Sequence, residues 1–452
     1  MADIDLVIDG VHNYNRDEQA YVAPEGDVLA KLSQWQDMKL GFMVHWGAYS
    51  QWGIVESWAL SGDDSAWSRV DITFDEAEID SRYKMLPETF NPVFFNPGDW
   101  AQAAQEGGFR YFVFTTKHHD GFAMYDTKFS DYKITSPMCP FHSHKYADIA
   151  RCLFDAFRDK GMRIGVYFSK PDWHSEHYWE PGKPSRRPSR GPTYSPLEDN
   201  EKWNRYRQYT QNQIGELMSD YGAVDILWLD GGWVNPREDG QDLDMRAIAE
   251  NARKKQPGLI IVDRTVGGEF ENYITPEQTI PKTPVLIPWE ACITLGTSFS
   301  YRNDDTYKSE RELIHLLIDV VAKGGNLVLN AGAQPNGRLP APALGRMRAI
   351  GGWLSRFGEA IYGTRPVPPY LAGNIGFTAK GGNTTYAIRM LSENEHVDSL
   401  IFPYSKIVQS VALLGRDCPL RFTHQNGTLC VEIPELNEDE KIAFAVKITS
   451  EP

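Results

Sequence analysis

The chain has 452 residues, 41% hydrophobic and 24% charged, the balance of a soluble enzyme with room for one large domain and a smaller one. Its formal charge of −15 argues against nucleic acid and anionic membranes as partners, since both reward clustered Lys and Arg. Five scattered cysteines with no CxxC spacing suggest neither a disulfide framework nor a zinc site, and no stretch approaches the roughly 18 apolar residues of a membrane span.

The N-terminus lacks a basic segment followed by a long apolar one. As written, the chain is expected to be cytoplasmic, or periplasmic or secreted if a leader has been removed. Short, continuous apolar runs then recur at residues 40–44, 111–114, 164–168, 224–229, 259–262, 285–287 and 326–329. Continuous rather than alternating hydrophobicity marks strands buried on both faces. Between them lie helical patterns: residues 146–160 with Gly161 as C-cap, and a helix through Trp100 and Ala103 with Asp99 as N-cap. The basic patch at residues 183–190 is short and proline-rich and reads as a solvated loop.

Strand after strand ends in chemistry: His45, Lys117-His118-His119-Asp120, Ser169-Lys170, Asp230-Gly231-Gly232-Trp233, Asp263-Arg264, Trp289-Glu290 and Asn330. In a (β/α) barrel all C-terminal strand ends meet at one mouth, whereas a doubly wound sheet gathers ligands at one switch point. The pattern therefore predicts an α/β fold with a (β/α)8-like, TIM-type catalytic barrel of seven or eight strands over residues 1–362. After Pro366, Pro368 and Pro369, taken as a linker, short turn-separated runs predict a C-terminal antiparallel β-sandwich over residues 363–452.

Asp230 closes an apolar run and precedes two glycines, which would let a ligand approach the backbone. Capping a turn is the bland alternative. Glu290 follows Trp289, and partial desolvation by an indole raises a carboxyl toward the range of a general acid. Glu269, Glu271 and Glu277 are its rivals. His118 and His119 are adjacent and point to opposite faces of an unbroken strand, so shared metal binding is not expected and no metal or cofactor is called for. Lys117 is a Schiff-base candidate. Thirteen Trp and a 12% aromatic share favour sugar rings. Two carboxylates in aromatic, hydroxyl-reading walls suggest a glycoside hydrolase.

The landmarks Lys39 to Gly47, Phe90-Asn91-Pro92, residues 115–122, Gly165 to Ser169, Trp228 to Gly231, Asp263-Arg264, Trp289 to Thr294, Lys323 to Asn330 and Gly358 to Thr364 resemble glycoside hydrolase family 29, the α-L-fucosidases. The resemblance implies a retaining exo-hydrolase acting on a fucosylated oligosaccharide or glycoconjugate, with Asp230 as nucleophile. Its acid/base is a glutamate, taken as Glu290 with Glu277 in reserve. It implies that His45, His118, His119 and Tyr167 bind the sugar hydroxyls, that Arg264 lies near the carboxylates, and that Trp58 packs on the sugar with Glu56 assisting; Trp228 and Phe299 are expected to complete the substrate-binding site. Departures are Glu56-Ser57-Trp58, where many relatives join Glu and Trp directly, Phe299 in place of a tryptophan, and residues 59–70 with Asp63, Asp64 and Trp67. The rival readings are the same mechanism on another α-L-glycoside such as an α-L-galactoside, a fucose-binding protein without turnover, and, more distantly, a metal-dependent hydrolase. A homo-oligomer is compatible with an acidic barrel of this size.

Overall fold

Seven parallel strands form one curled sheet in the computed structural model, which describes residues 21–61, 67–69, 72–183, 190–416 and 419–451. They are β1 (Leu40–His45), β2 (Tyr111–Lys117), β3 (Arg163–Ser169), β4 (Ile226–Asp230), β5 (Ile260–Asp263), β6 (Glu290–Thr294) and β7 (Asn326–Gly332). Their order is β5-β4-β3-β2-β1-β7-β6, and nearly every residue in them is buried. The helices α1 (Gly26–Met38), α2 (Glu76–Lys84), α3 (Pro97–Glu106), α4 (Ile149–Asp159), α5 (Asn200–Asp220), α6 (Met245–Lys255), α7 (Glu310–Ala322) and α8 (Ala341–Phe357) complete this part. None of the described helices is long and apolar enough to cross a membrane.

The place of an eighth strand, between β5 and β6, is taken by residues 271–278. This segment makes an antiparallel bridge to β5 at Val262 and Glu271, and parallel bridges to Trp289, just before β6, from Ile274 and to Cys292 in β6 from Glu277. Its irregular backbone still carries side chains into the barrel.

Side chains alternate along each strand, so every second residue faces inward. The inner core contains Met43, Tyr111, Val113, Tyr167, Ile226, Trp228, Ile260, Val262, Cys292 and Val328. α1 closes the floor: Leu32 and Trp35 join this core, and Trp35 stacks on Tyr273 with centroids 4.1 Å apart. Outside the sheet, Phe112 stacks on Phe157 of α4 at 3.7 Å, sealing sheet to helix.

Three expectations are corrected. The apolar run 285–287 is not a strand, and Leu286 is 78% exposed; β6 starts at Glu290, paired with Asn326 at the start of β7. Glu290 therefore lies at the floor of the barrel, not at its mouth. The N-cap of α3 is Asn96, whose side chain accepts from Gly98 N–H, with Pro97 first in the helix and Asp99 in its first turn. α4 does end as expected, with Gly161 at φ +78° just beyond it.

Pro366, Pro368 and Pro369 lie within β8 (Arg365–Ala372) rather than forming a linker. β8 is the edge of a five-stranded sheet, where a missing N–H costs no ladder bond. That antiparallel sheet has the order β12-β15-β10-β9-β8, with β9 (Ile375–Lys380), β10 (Thr384–Met390), β11 (Ser399–Pro403), β12 (Val408–Leu413), β13 (Phe422–Gln425), β14 (Thr428–Glu432) and β15 (Ala443–Ser450) completing the strands. A three-stranded sheet, β11-β14-β13, meets it through Phe377 and Phe402, whose rings are 5.2 Å apart. On the other face Gly376 leaves room for Ile318 of α7, where a Cβ would come within 3.0 Å of that side chain.

Candidate active site

The C-terminal ends of the barrel strands surround a cavity of about 360 Å³, lined by His45, Glu56, Trp58, His118, His119, Tyr167, Trp228, Asp230, Arg264, Glu277 and Phe299, with Val55, Trp67, Arg190, Trp233 and Cys292. The volume is at the small end of ligand pockets, which run from about 300 to 1,000 Å³.

Asp230, the last residue of β4, is the electrostatic centre of this cavity. Tyr167 donates its hydroxyl to Oδ2 at 2.6 Å, Arg264 donates to Oδ1 at 3.1 Å, and His119 Nε2 lies 3.7 Å from Oδ2. Burial alone would raise the carboxyl, but Arg264, His119 and the Tyr167 hydrogen bond outweigh it and hold Asp230 well below the usual carboxylate range. It is held as an anion at neutral pH. The two following glycines serve packing: a Cβ on Gly231 would meet Pro171 at 2.3 Å, and one on Gly232 would meet Thr265 at 1.9 Å.

Arg264, just past β5, is a bridge. Its guanidinium bonds Asp230 through one terminal nitrogen and Glu277 through the other, while Nε donates to Thr275 Oγ1 at 3.2 Å. Glu277 stands on the segment that replaces the eighth strand, and its side chain keeps 17% exposure against 15% for Asp230. The remaining rivals are accounted for elsewhere. Glu269 pairs with Arg246 at the surface, and Glu271 accepts from the backbone N–H groups of Thr265 and Gly267.

Glu290 does not reach this constellation. It is 0% exposed, does not line the cavity, and accepts hydrogen bonds from Tyr111 at 2.5 Å, Trp228 Nε1 at 3.3 Å and Tyr273 at 3.3 Å. Its burial and its absence from the cavity wall speak against the acid/base role expected for it. Glu290 and Cys292 both point inward from β6, and it is Cys292, one layer higher, that touches the cavity.

The three imidazoles share a design. His45 Nδ1 pairs with Asn330 Oδ1 at 2.7 Å, His119 Nδ1 with Ser169 Oγ at 2.7 Å, and His118 Nδ1 with Ser57 Oγ. Burial brings His45 and His119 down to about 4 and His118 well below the usual imidazole range, so all three are neutral near pH 7. Neutral imidazoles fixed at one nitrogen suit the reading of hydroxyl groups at the other. The strand has broken at Lys117, so His118 and His119 face the same cavity with rings 4.2 Å apart. Together with Asp230 their ligand atoms lie within 4.8 Å of one another. Arg264 already neutralises that carboxylate and would repel a second cation there.

Ser57, the residue separating Glu56 from Trp58, holds His118, while Glu56 accepts from Ser300 N–H at 2.7 Å. Glu56 adopts φ +31°, a backbone conformation that carries some cost at a non-glycine residue, and both it and Trp58 line the cavity. Burial pushes the Glu56 carboxyl up to about 8 against the Ser300 hydrogen bonds, leaving a neutral acid able to donate. Phe299 covers His45 at 5.0 Å between ring centroids.

Lys117 is turned out of the barrel. It is buried against Asp172 at 3.0 Å and Gln213 at 3.1 Å, so the Schiff-base reading is dropped. Arg190, assigned to a solvated loop, instead stacks over Trp58 at 5.1 Å and Trp233 at 5.5 Å at the cavity wall. Residues 184–189 of that patch, the N-terminal segment, Asp63, Asp64 and Cys418 lie outside the described residues. The other four cysteines are free thiols.

The alpha-L-fucosidase family model matches residues 11–359. Tissue alpha-L-fucosidase of Bos taurus is 26% identical over 92% of this chain and 88% of its own length. Among solved structures, alpha-L-fucosidase isoenzyme 1 of Paenibacillus thiaminolyticus superposes with a TM-score of 0.78 at 26% identity, covering 94% of this chain and 100% of that one. Thermotoga maritima alpha-fucosidase in complex with a mechanism-based inhibitor does so with 0.73 at 25% identity, covering 95% and 100%. The chain belongs to the alpha-L-fucosidase family, glycoside hydrolase family 29.

Proposed function

We propose that this protein is a retaining, exo-acting α-L-fucosidase in which Asp230 is the nucleophile and Glu277 the acid/base. The observation that carries the reading is the single guanidinium of Arg264 bridging the two carboxyl groups beside an aromatic-walled cavity. A covalent, retaining route uses carboxyl groups about 5–5.5 Å apart, whereas an inverting one needs a wider gap for water. Two carboxyls held by one side chain favour the closer class.

Asp230 attacks the anomeric carbon as Glu277 gives its proton to the departing glycosidic oxygen, releasing the aglycone and leaving fucose esterified to Asp230. Water then attacks the same carbon, Glu277 takes back a proton, and Asp230 leaves as carboxylate. Arg264 faces one negative charge throughout: Asp230 at rest, Glu277 in the intermediate. Such fixed electrostatics need no reorganisation during the reaction. His45, His118, His119 and Glu56 read sugar hydroxyls, and Trp58, Trp228 and Phe299 supply apolar walls. The substrate is a terminal fucosyl residue of an oligosaccharide or glycoconjugate.

Initial rates on 4-nitrophenyl α-L-fucoside, α-L-galactoside and β-D-galactoside test this. Clear preference for the α-L-fucoside is expected. Turnover of another L-glycoside with silence on fucoside would overturn the sugar assignment while keeping the mechanism.

A further inference from the structure

The chemistry above leaves a buried acid unused. Burying a carboxyl without a cation is costly, and three neutral donors converge on Glu290 in the barrel floor: Tyr111, Tyr273 and the indole N–H of Trp228. Trp228 spans the floor and the cavity. Its Nε1 edge rests on Glu290, the ring of Tyr167 stacks against it at 5.2 Å and 23°, and the Arg264 guanidinium lies 4.9 Å over it. Tyr167 and Arg264 are the two donors that hold Asp230.

We infer that Glu290 is a positioning residue: it fixes the Trp228 indole through its N–H and thereby sets Tyr167 and Arg264 against Asp230. An indole packed only by dispersion can slide in its plane, since its many weak contacts carry no direction. One hydrogen bond at its edge removes that freedom and fixes both groups packed on it. Misplacing a reacting group by about 1 Å costs on the order of 100-fold in rate. The inference rests on the proposed function, because it takes Asp230 as the reacting group.

The test measures kcat, KM and azide response on 4-nitrophenyl α-L-fucoside for Glu290→Ala, Glu290→Gln, Trp228→Phe and the double variant Glu290→Ala/Trp228→Phe. Glu290→Ala should lower kcat by about 10–100-fold with little change in KM and no recovery in azide. Glu290→Gln keeps an acceptor for the indole and should recover most of that loss. Both residues act on one element, so the double variant should be no worse than the weaker single. Losses that multiply, azide rescue of Glu290→Ala, or a glutamine variant as poor as alanine would each overturn the inference. An inactive wild type would instead sink the functional reading. The indole N–H resonance of Trp228, assigned by its disappearance in Trp228→Phe, then decides independently of turnover and of whether Glu290→Ala folds: it should shift in Glu290→Gln, and an unmoved signal refutes the contact.

Discussion

At the mouth of the barrel Asp230 is part-buried, yet the contacts from Arg264, His119 and Tyr167 overcome that desolvation and keep it ionised. At the floor Glu290 is buried among Tyr111, Trp228 and Tyr273, and burial pushes its carboxyl up to about 7. Both acids point inward from barrel strands, and both touch a tyrosine. What separates them is one guanidinium in direct contact: a cation at 3.1 Å turns desolvation from a penalty into stronger attraction, while neutral donors only offset part of it. Burial beside aromatic rings therefore does not by itself point to an acid/base; the role proposed for Glu277 rests on its access to the cavity and on the partner it shares with Asp230.

Removing the mouth acid should have the largest effect. Asp230→Gly should lower kcat roughly 10⁴-fold, and added azide should yield β-L-fucosyl azide by direct displacement, identified by its anomeric proton coupling. Glu277→Ala should lose about 10²–10⁴-fold on a fucosyl oligosaccharide, and less on a nitrophenyl fucoside whose leaving group needs no proton. Azide should restore the latter and give the α-azide; recovery with Glu290→Ala instead would return the role to the floor acid. Tyr167→Phe removes a bond that favours ionised Asp230, so kcat should fall about tenfold and the acid limb of kcat/KM should move to higher pH.

The smallest effect concerns stability. A glutamate whose folded pKa is raised to about 7 contributes stability fully present below its unfolded value of about 4.3 and lost as pH rises through 7. Glu290→Gln abolishes that titration. Relative to wild type, its melting temperature should therefore improve by about 1–3 °C between pH 5 and pH 8, measured by calorimetry. A constant difference across this range would show that Glu290 is ionised in the folded protein, as Asp230 is.

Much of this site was legible because barrel strands announce their own ends. The run Ile226-Leu227-Trp228-Leu229 stops at Asp230, and β4 stops there too. β6 defeated the same rule. Val285-Leu286-Ile287 is the most apolar stretch in its region but is bracketed by Pro284 and Pro288, which no central strand accommodates. The true strand, Glu290-Ala291-Cys292-Ile293-Thr294, looks too polar because its inward face carries an acid bonded to interior side chains. That one shift moved Glu290 from floor to mouth. Glu277 sits on a segment with no strand pattern, and Arg190 on a loop whose composition reads as solvated, so neither period nor propensity could place them. The prolines of β8 misled in the opposite direction, since an edge strand tolerates what a central one does not.

In the proposed reaction Asp230 carries the sugar. Incubation with 2-deoxy-2-fluoro-α-L-fucosyl fluoride, followed by proteolysis and tandem mass spectrometry, tests it most directly. The fluorine at C2 slows both steps, and the fluoride leaving group lets the first proceed, so the intermediate accumulates. A fucosyl adduct on Asp230 is the predicted result. An adduct on Glu277 or Glu290, or turnover of natural substrate with inverted stereochemistry and no adduct, would contradict the account.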